Sequence, residues 1–131
     1  MRYMLLIYTK EDEVARRSTE EMTRVKEVHR AVMSDARSRG ILEGAEPLRP
    51  TRTAKTVRSQ NGKLLTSDGP FAETKEQLAG YYILNCKDLD EAIAWAARIP
   101  SACGGMEGCV EVRELEWQPA PAEVLAGTRN G

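Results

Sequence analysis

Two short segments of the chain are apolar on both of their alternating faces, and this pattern constrains the fold more than any other feature. The first, Tyr3–Tyr8, is rich in strand formers and far too short to cross a membrane. The second, Gly80–Cys86, alternates in the same way. Successive side chains of a strand point to opposite faces, so both segments are predicted to be strands that are covered on both sides.

Two amphipathic helices are expected between the strands. Ser18 and Glu21 form a capping box for the first helix, and Gly40 supplies its left-handed end. Asp88 and Glu91 form a similar box for the second helix, which Pro100 ends. The stripes expected to face the core are Met22, Val25, His29, Val32 and Ala36 in the first helix and Leu89, Ala92, Ile93, Ala96 and Ile99 in the second.

The remaining segments predict a hairpin, a last strand and an irregular connection. Thr51–Ser59 and Lys63–Thr66 are expected to pair through an Asn-Gly turn. Cys109–Trp117 has alternating valines and predicts the last strand. Ile41–Pro50 contains one glycine and two prolines, which favours a connection without regular structure.

The order strand, helix, hairpin, strand, helix, strand predicts an α+β domain of the ferredoxin-like, split βαβ kind. We expect an antiparallel sheet with an added hairpin strand and both helices on one face, within a single domain at 1–117 followed by a flexible tail at 118–131. Two helices cover only one face of such a sheet, so the other apolar face needs a second subunit. The sequence therefore predicts a homodimer.

Composition narrows the classes of function. The chain has 131 residues and a net charge of −1, which gives no reason to expect nucleic acid or an anionic membrane as partner. No signal peptide is evident at its start, and three cysteines are an odd number for a disulfide framework, so a reducing, cytoplasmic setting is expected. The sequence has no zinc spacing, phosphate-binding glycine loop or dinucleotide fingerprint, and no metal or cofactor is implied.

The most distinctive stretch of the chain follows the hairpin. It reads Asp-Gly-Pro-Phe-Ala-Glu-Thr-Lys-Glu from Asp68 to Glu76. This string closely resembles the signature of the DGPFAETKE (DGPF domain) family in the YCII-related superfamily. The opening strand, the helix start at 88–92 and the segment 110–113 also resemble that family, so the resemblance covers nearly the whole domain.

The resemblance implies a dimeric α+β barrel whose activity in relatives is largely unassigned. The wider superfamily has been suspected of catalysis through a histidine and an aspartate in the cleft between subunits. Many relatives are encoded beside sigma factors of the extracytoplasmic-function type, which implies a regulatory partner. Relatives often have proline after the arginine of the last strand, whereas Glu114 follows Arg113 here.

Asp68 and His29 are the candidate catalytic residues. An aspartate in an Asp-Gly-Pro turn often only accepts backbone hydrogen bonds, but it can also serve as a general base or ligand anchor. His29 is the single histidine and lies on the inner stripe of the first helix, where a partly buried structural role is the alternative to proton transfer. Sequence spacing does not show whether the two residues meet.

Four charged residues are candidates for substrate binding. Glu73 and Lys75 lie in the loop beside Phe71, which is expected to anchor that loop in the core. Glu111 and Arg113 share one face of the last strand and either bind an anion in the dimer cleft or pair with each other.

Two functions are consistent with these residues. The first is a dimer that binds a small polar molecule, with possible acid–base catalysis. The second is a non-catalytic regulatory or interaction protein associated with a sigma factor. The sequence does not decide whether the chain is an enzyme.

Overall fold

A computed structural model describes residues 1–103 and 108–118 of the chain. The strands are β1 (Arg2–Thr9), β2 (Leu42–Pro47), β3 (Lys55–Gln60), β4 (Lys63–Asp68), β5 (Gln77–Asn85) and β6 (Gly108–Glu114). The helices are α1 (Glu11–Ala15), α2 (Thr19–Ser38), α3 (Leu89–Ala96) and α4 (Pro100–Cys103), with a 3₁₀ turn at Thr51–Thr53.

The main sheet has four strands in the order β2-β5-β1-β6, and all neighbouring strands are antiparallel. The two segments that are apolar on both faces, β1 and β5, occupy its centre, as their composition predicts. This order confirms the ferredoxin-like α+β class. A register shift at the end of β1, between Ile7 and Tyr8, accommodates one extra residue of β5.

The core lies between one face of this sheet and the helices. Side chains at alternate positions of β1 and β5 are buried there, together with residues of α2 and α3. The largest fully buried side chains are Leu5, Leu84, Ile99, Val32 and Cys86. The opposite positions of β1, which include Met4, Leu6 and Tyr8, are only half-buried within one chain. The chain itself therefore covers one face of β1, and the prediction of cover on both faces is confirmed for that face.

The expected irregular connection at Ile41–Pro50 is wrong, because most of it is strand β2. Glycine and proline usually mark loops, but β2 is an edge strand, where a missing amide hydrogen need not break a ladder bond. Pro47 ends the strand, and Gly44 stands beside a register shift, which is where bulges place glycine. Tertiary pairing with β5 therefore overrides the local turn signals.

The hairpin forms with the expected Asn61-Gly62 turn, in which both residues have positive φ angles. Its boundaries differ from the prediction, because Thr51–Thr53 is a 3₁₀ turn and the second strand extends to Asp68. The hairpin is also not a strand of the main sheet. It forms a separate two-stranded sheet, inserted between the second and third strands of the ferredoxin-like core.

Both predicted helix starts are confirmed. The side chain of Ser18 accepts a hydrogen bond from the amide of Glu21, and that of Asp88 accepts one from Glu91. The predicted inner stripes are partly wrong, since Met22, Leu89 and Ile93 are exposed. Trp95 is buried instead, so α3 presents its tryptophan rather than its isoleucine to the core. The short helix α1 was not expected.

Ion pairs and aromatic contacts hold α2 against α3. Asp35 of α2 accepts hydrogen bonds from Arg39, at 2.9 Å, and from Arg98 beyond α3, at 2.6 Å. Both guanidinium groups lie over the ring of Trp95. The hydrogen bond from Arg98, followed by that from Arg39, lowers the pKa of Asp35. This cluster fixes the C-terminal end of the helix that carries His29.

The end of the described chain is attached to β1. The Gln118 side chain accepts a hydrogen bond from the Arg2 amide at 2.6 Å and donates to the Arg2 carbonyl at 3.1 Å. The predicted flexible tail at 118–131 therefore begins with an anchored residue, and its remainder lies outside the described residues. No helix in the described part of the chain is long and apolar enough to cross a membrane.

Candidate functional site

Asp68 lies at the end of the hairpin and is exposed to solvent over 87% of its side chain. Its carboxylate forms an ion pair with Lys55, the residue directly opposite it in the hairpin register. The backbone around it forms the expected turn, with a positive φ at Gly69. Within one chain, the partner of Asp68 is therefore Lys55, whereas the partner of His29 is Tyr82.

The rest of the signature loop is also open to solvent. Glu73 and Lys75 are exposed, and neither makes a side-chain hydrogen bond or ion pair with another residue that the structure describes. Phe71, expected as a core anchor, is 78% exposed, so that prediction is wrong for the single chain. The glycine and proline before Phe71 shape the turn without directing its ring into the core.

Glu111 and Arg113 lie on the face of β6 opposite the valines, as expected. Val110 and Val112 pack against the core on the helix side. The two charged side chains are exposed on the open face, in register with Leu6 and Met4 of β1. The alternative of an internal ion pair between them is not found among the described contacts.

His29 is half-buried on α2 and contacts Tyr82 of the central strand β5. Its Nδ1 atom lies 2.6 Å from the Tyr82 hydroxyl, and the two rings meet edge to face, with their centroids 5.9 Å apart. This contact lies on the helix-covered face of the sheet, whereas Glu111 and Arg113 lie on the other face. The six predicted site residues therefore do not converge on one site within a single chain.

A cavity of about 420 Å³ opens beside the His29–Tyr82 pair. It lies between the helices α1 and α2 and the β2–β5 edge of the sheet. Much of its wall is apolar and consists of Ile7, Val14, Val25, Met33, Ala45 and Pro47. Its size and its few convergent polar groups are typical of a small-molecule site.

Local sequence explains how each member of the pair reaches the cavity. Val25, His29 and Met33 follow one another at intervals of four, so they line one side of α2. Tyr82 shares its strand face with Gly80, two residues earlier. A Cβ atom at Gly80 would lie 2.7 Å from the Glu46 carbonyl oxygen, so glycine here permits the close approach of β2.

Burial sets the protonation of both groups. Desolvation lowers the pKa of His29 below its ordinary value of 6.5, so the imidazole is neutral at pH 7. Desolvation raises the pKa of Tyr82 to about 12, so the phenol keeps its proton. The 2.6 Å contact therefore joins two neutral groups, and a neutral imidazole with one free nitrogen can accept a proton.

The sequence identified His29 but not its partner. Tyr82 belongs to a strand whose composition predicts packing on both faces, and no spacing rule connects it with a histidine 53 positions away. A usable signal was the Gly-x-Tyr pattern, which leaves space beside a polar aromatic group on a buried strand. No cluster of metal-ligating side chains occurs within residues 1–103 and 108–118.

Comparison with known families identifies the chain. The family model for the YCII-related domain matches residues 1–117. The chain belongs to the YCII-related family. A YCII-related relative from Rhizobium meliloti (strain 1021), described as an uncharacterized protein, is 40% identical over 115 residues, which cover 88% of this chain and 92% of the relative. The family match includes both the His29 cavity and the loop at Asp68, so membership does not choose between them.

Proposed function

We propose that this YCII-related protein binds a small molecule in the cavity beside His29 and that His29 exchanges a proton with it. The observation that carries the proposal is the 2.6 Å contact between His29 Nδ1 and the Tyr82 hydroxyl on the wall of that cavity. A buried, neutral histidine held by a second polar group is the usual arrangement of a general base.

In the proposed resting state, His29 donates its Nδ1 hydrogen to the Tyr82 oxygen. This hydrogen bond orients the ring and leaves the lone pair of Nε2 as the proton acceptor. On accepting a proton from the ligand, the ring becomes a cation, and Tyr82 continues to accept from Nδ1. Tyr82 is thus a positioning residue, and His29 is the group that reacts.

A thermal-shift screen against a broad panel of small metabolites tests the proposal. A ligand of this cavity stabilises the wild-type protein, and His29→Gln removes most of that stabilisation. Asp68→Asn is the matched control, because it changes an equally distinctive residue outside the cavity. Stabilisation that Asp68→Asn removes and His29→Gln retains would instead place the site at the signature loop.

A homodimer remains part of the proposal. The half-buried side chains of Met4, Leu6, Tyr8, Tyr81 and Ile83 lie on the open face of the sheet. A second copy packed on this open face would bury them and would bring Glu111 and Arg113 into the interface. Sedimentation at micromolar concentration should show a dimer for the wild-type protein and a monomer for Leu6→Glu.

Interaction with another protein is the second candidate function. The hairpin exposes large apolar side chains, with Leu64 at 73% and Val57 at 58%, and the loop beside it exposes Phe71. An isolated hairpin with exposed apolar groups is typical of a binding surface. The sigma factor that the resemblance implies is the partner to test: a pull-down with it should succeed with the wild-type chain and fail with Leu64→Glu.

A further inference from the structure

The charged residues around the His29 cavity are mostly cations. Arg17, Lys26 and Arg30 contribute to its lining, and Glu46 is the single acidic residue there. With His29 neutral, the lining carries three positive charges and one negative charge. The whole chain has a net charge of −1, so this local excess is not a general property of its surface. A cavity lined by one sign of charge attracts ligands of the opposite sign.

The three cations are not engaged elsewhere in the described protein. Arg2, Arg39, Lys55 and Arg98 form ion pairs with carboxylates, whereas no cation of the cavity pairs with a carboxylate within residues 1–103 and 108–118. Lys26 and Arg30 are also four residues apart on α2, where like charges oppose helix formation. A local rule broken beside a cavity is typical of a functional position.

The cations lie beside an apolar interior. On α2, Val25 and His29 face the cavity, and Lys26 and Arg30 each follow one of them by a single residue, or about 100° of rotation. The helix therefore presents an apolar strip with a cationic strip along its side. A ligand that matches both has an apolar body and one anionic group. A neutral ligand would leave the cations without a partner, and a cationic ligand would be repelled.

We infer that the ligand class of this cavity is a small carboxylate with an apolar body, whose carboxylate lies against Arg17, Lys26 and Arg30 while its body occupies the space beside His29. The inference rests on the proposed function, because it names the chemistry of the molecule that the same cavity binds. The resulting specificity is electrostatic, so it weakens as salt screens the partly exposed cations.

Matched probes test the inference. Phenylacetate, phenylacetamide and phenethylammonium share an aromatic body and differ in charge, and binding is followed through the backbone amide signals of the full chain. We expect phenylacetate to bind about tenfold more tightly than phenylacetamide at low salt, because its carboxylate can form several partly exposed ion pairs, each of which contributes a small gain. The signals that move should belong to residues of the cavity, such as Thr9, Val25 and Gly80.

Paired variants separate the charge effect from loss of folding. Lys26→Gln with Arg30→Gln should reduce the preference for phenylacetate over the amide to about twofold, whereas Arg24→Gln, on another side of α2, should leave it unchanged. Melting curves establish that each variant is folded.

Equal affinity for the anion and the amide, both at the cavity, would overturn the inference and leave the proposed function standing. Stronger binding of phenethylammonium would also overturn it. Absence of binding by all three probes would overturn the carboxylate class as well, while the metabolite screen with His29→Gln would still decide the proposed function. A preference for phenylacetate that the double variant retains would show that Lys26 and Arg30 do not cause it, which would overturn the inference as stated.

Discussion

The cavity beside His29 and the loop that begins at Asp68 differ in how their side chains are held. His29 is half-buried and bonded to Tyr82, and packing changes the pKa of both groups. Asp68 and most of its loop are exposed, and its carboxylate pairs with an exposed lysine. The loop has the more distinctive sequence, whereas the cavity has the geometry on which proton chemistry depends. The string that resembles the family signature and the cavity that we propose as the site are therefore different regions of the chain.

The physical reason is that reactivity requires desolvation. An exposed ion pair has a free energy close to that of its separated, hydrated groups, so it contributes little to stability. A buried pair has lost water on most sides, which changes the balance between its charged and neutral forms. The following predictions test whether the two regions differ in this way.

The largest expected effect is on stability. Leu84 is fully buried beneath the helices, and Leu64 is 73% exposed on the hairpin. Leu84→Ala should lower the free energy of unfolding by about 2–5 kcal/mol, because it removes buried surface and leaves a cavity. Leu64→Ala should change it by no more than about 0.5 kcal/mol. Urea denaturation measures both, and similar losses would show that the hairpin is packed in solution.

A second prediction concerns the wall of the cavity. Gly80→Ala places a Cβ atom against the Glu46 carbonyl oxygen, so β2 must move away from β5, at a cost of about 1–3 kcal/mol. Gly44→Ala is the control, because its Cβ would make ordinary contacts of 3.8–3.9 Å with Ile83. Denaturation should show that Gly44→Ala changes the free energy of unfolding by no more than about 0.5 kcal/mol. Equal tolerance of both changes would contradict the close approach of the strands.

The third prediction is the pH dependence of stability. Burial lowers the pKa of His29 in the folded state, so between that pKa and 6.5 the unfolded chain binds more protons than the folded one. The contribution of His29 is fully present above pH 6.5 and is lost as pH falls through the folded pKa. His29→Gln should therefore have a flatter stability profile just below pH 6.5. The lowered pKa of Asp35 affects stability only at more acidic pH, where that carboxylate titrates. This effect should persist in the variant.

The smallest effect is expected at the signature loop. The Lys55–Asp68 pair is exposed at both side chains, so solvent screens it. Asp68→Asn should alter the free energy of unfolding by no more than about 0.5 kcal/mol, and Lys55→Gln should behave in the same way. A loss of 2 kcal/mol or more, measured by chemical denaturation, would mean that the loop is buried in the assembled protein.

Much of the fold could be predicted from the sequence. Alternation at Tyr3–Tyr8 and Gly80–Cys86 identified the central strands, and the boxes at Ser18 and Asp88 identified the helix starts, because these signals depend on neighbouring residues alone. The edge strand β2 was missed, because its glycine and proline are tolerated only through pairing with β5. The rotation of α3 that buries Trp95 also depends on tertiary packing.

The candidate site could be predicted only in part. His29 was identified because it is the single histidine of the chain, so any histidine chemistry must use it. Its contact with Tyr82 joins a helix to a strand across 53 positions, and the cations of the cavity come from both α2 and the connection before it. Spatial convergence of this kind leaves no pattern along the chain.

The measurement that tests the central claim most directly is an NMR titration of the His29 ring, with the signals of both ring nitrogens recorded. We predict one neutral tautomer at pH 7, protonated at Nδ1, and a midpoint below 6.5 that reflects burial beside Tyr82. A midpoint at or above 6.5, with both tautomers in exchange as in a free imidazole, would contradict the account.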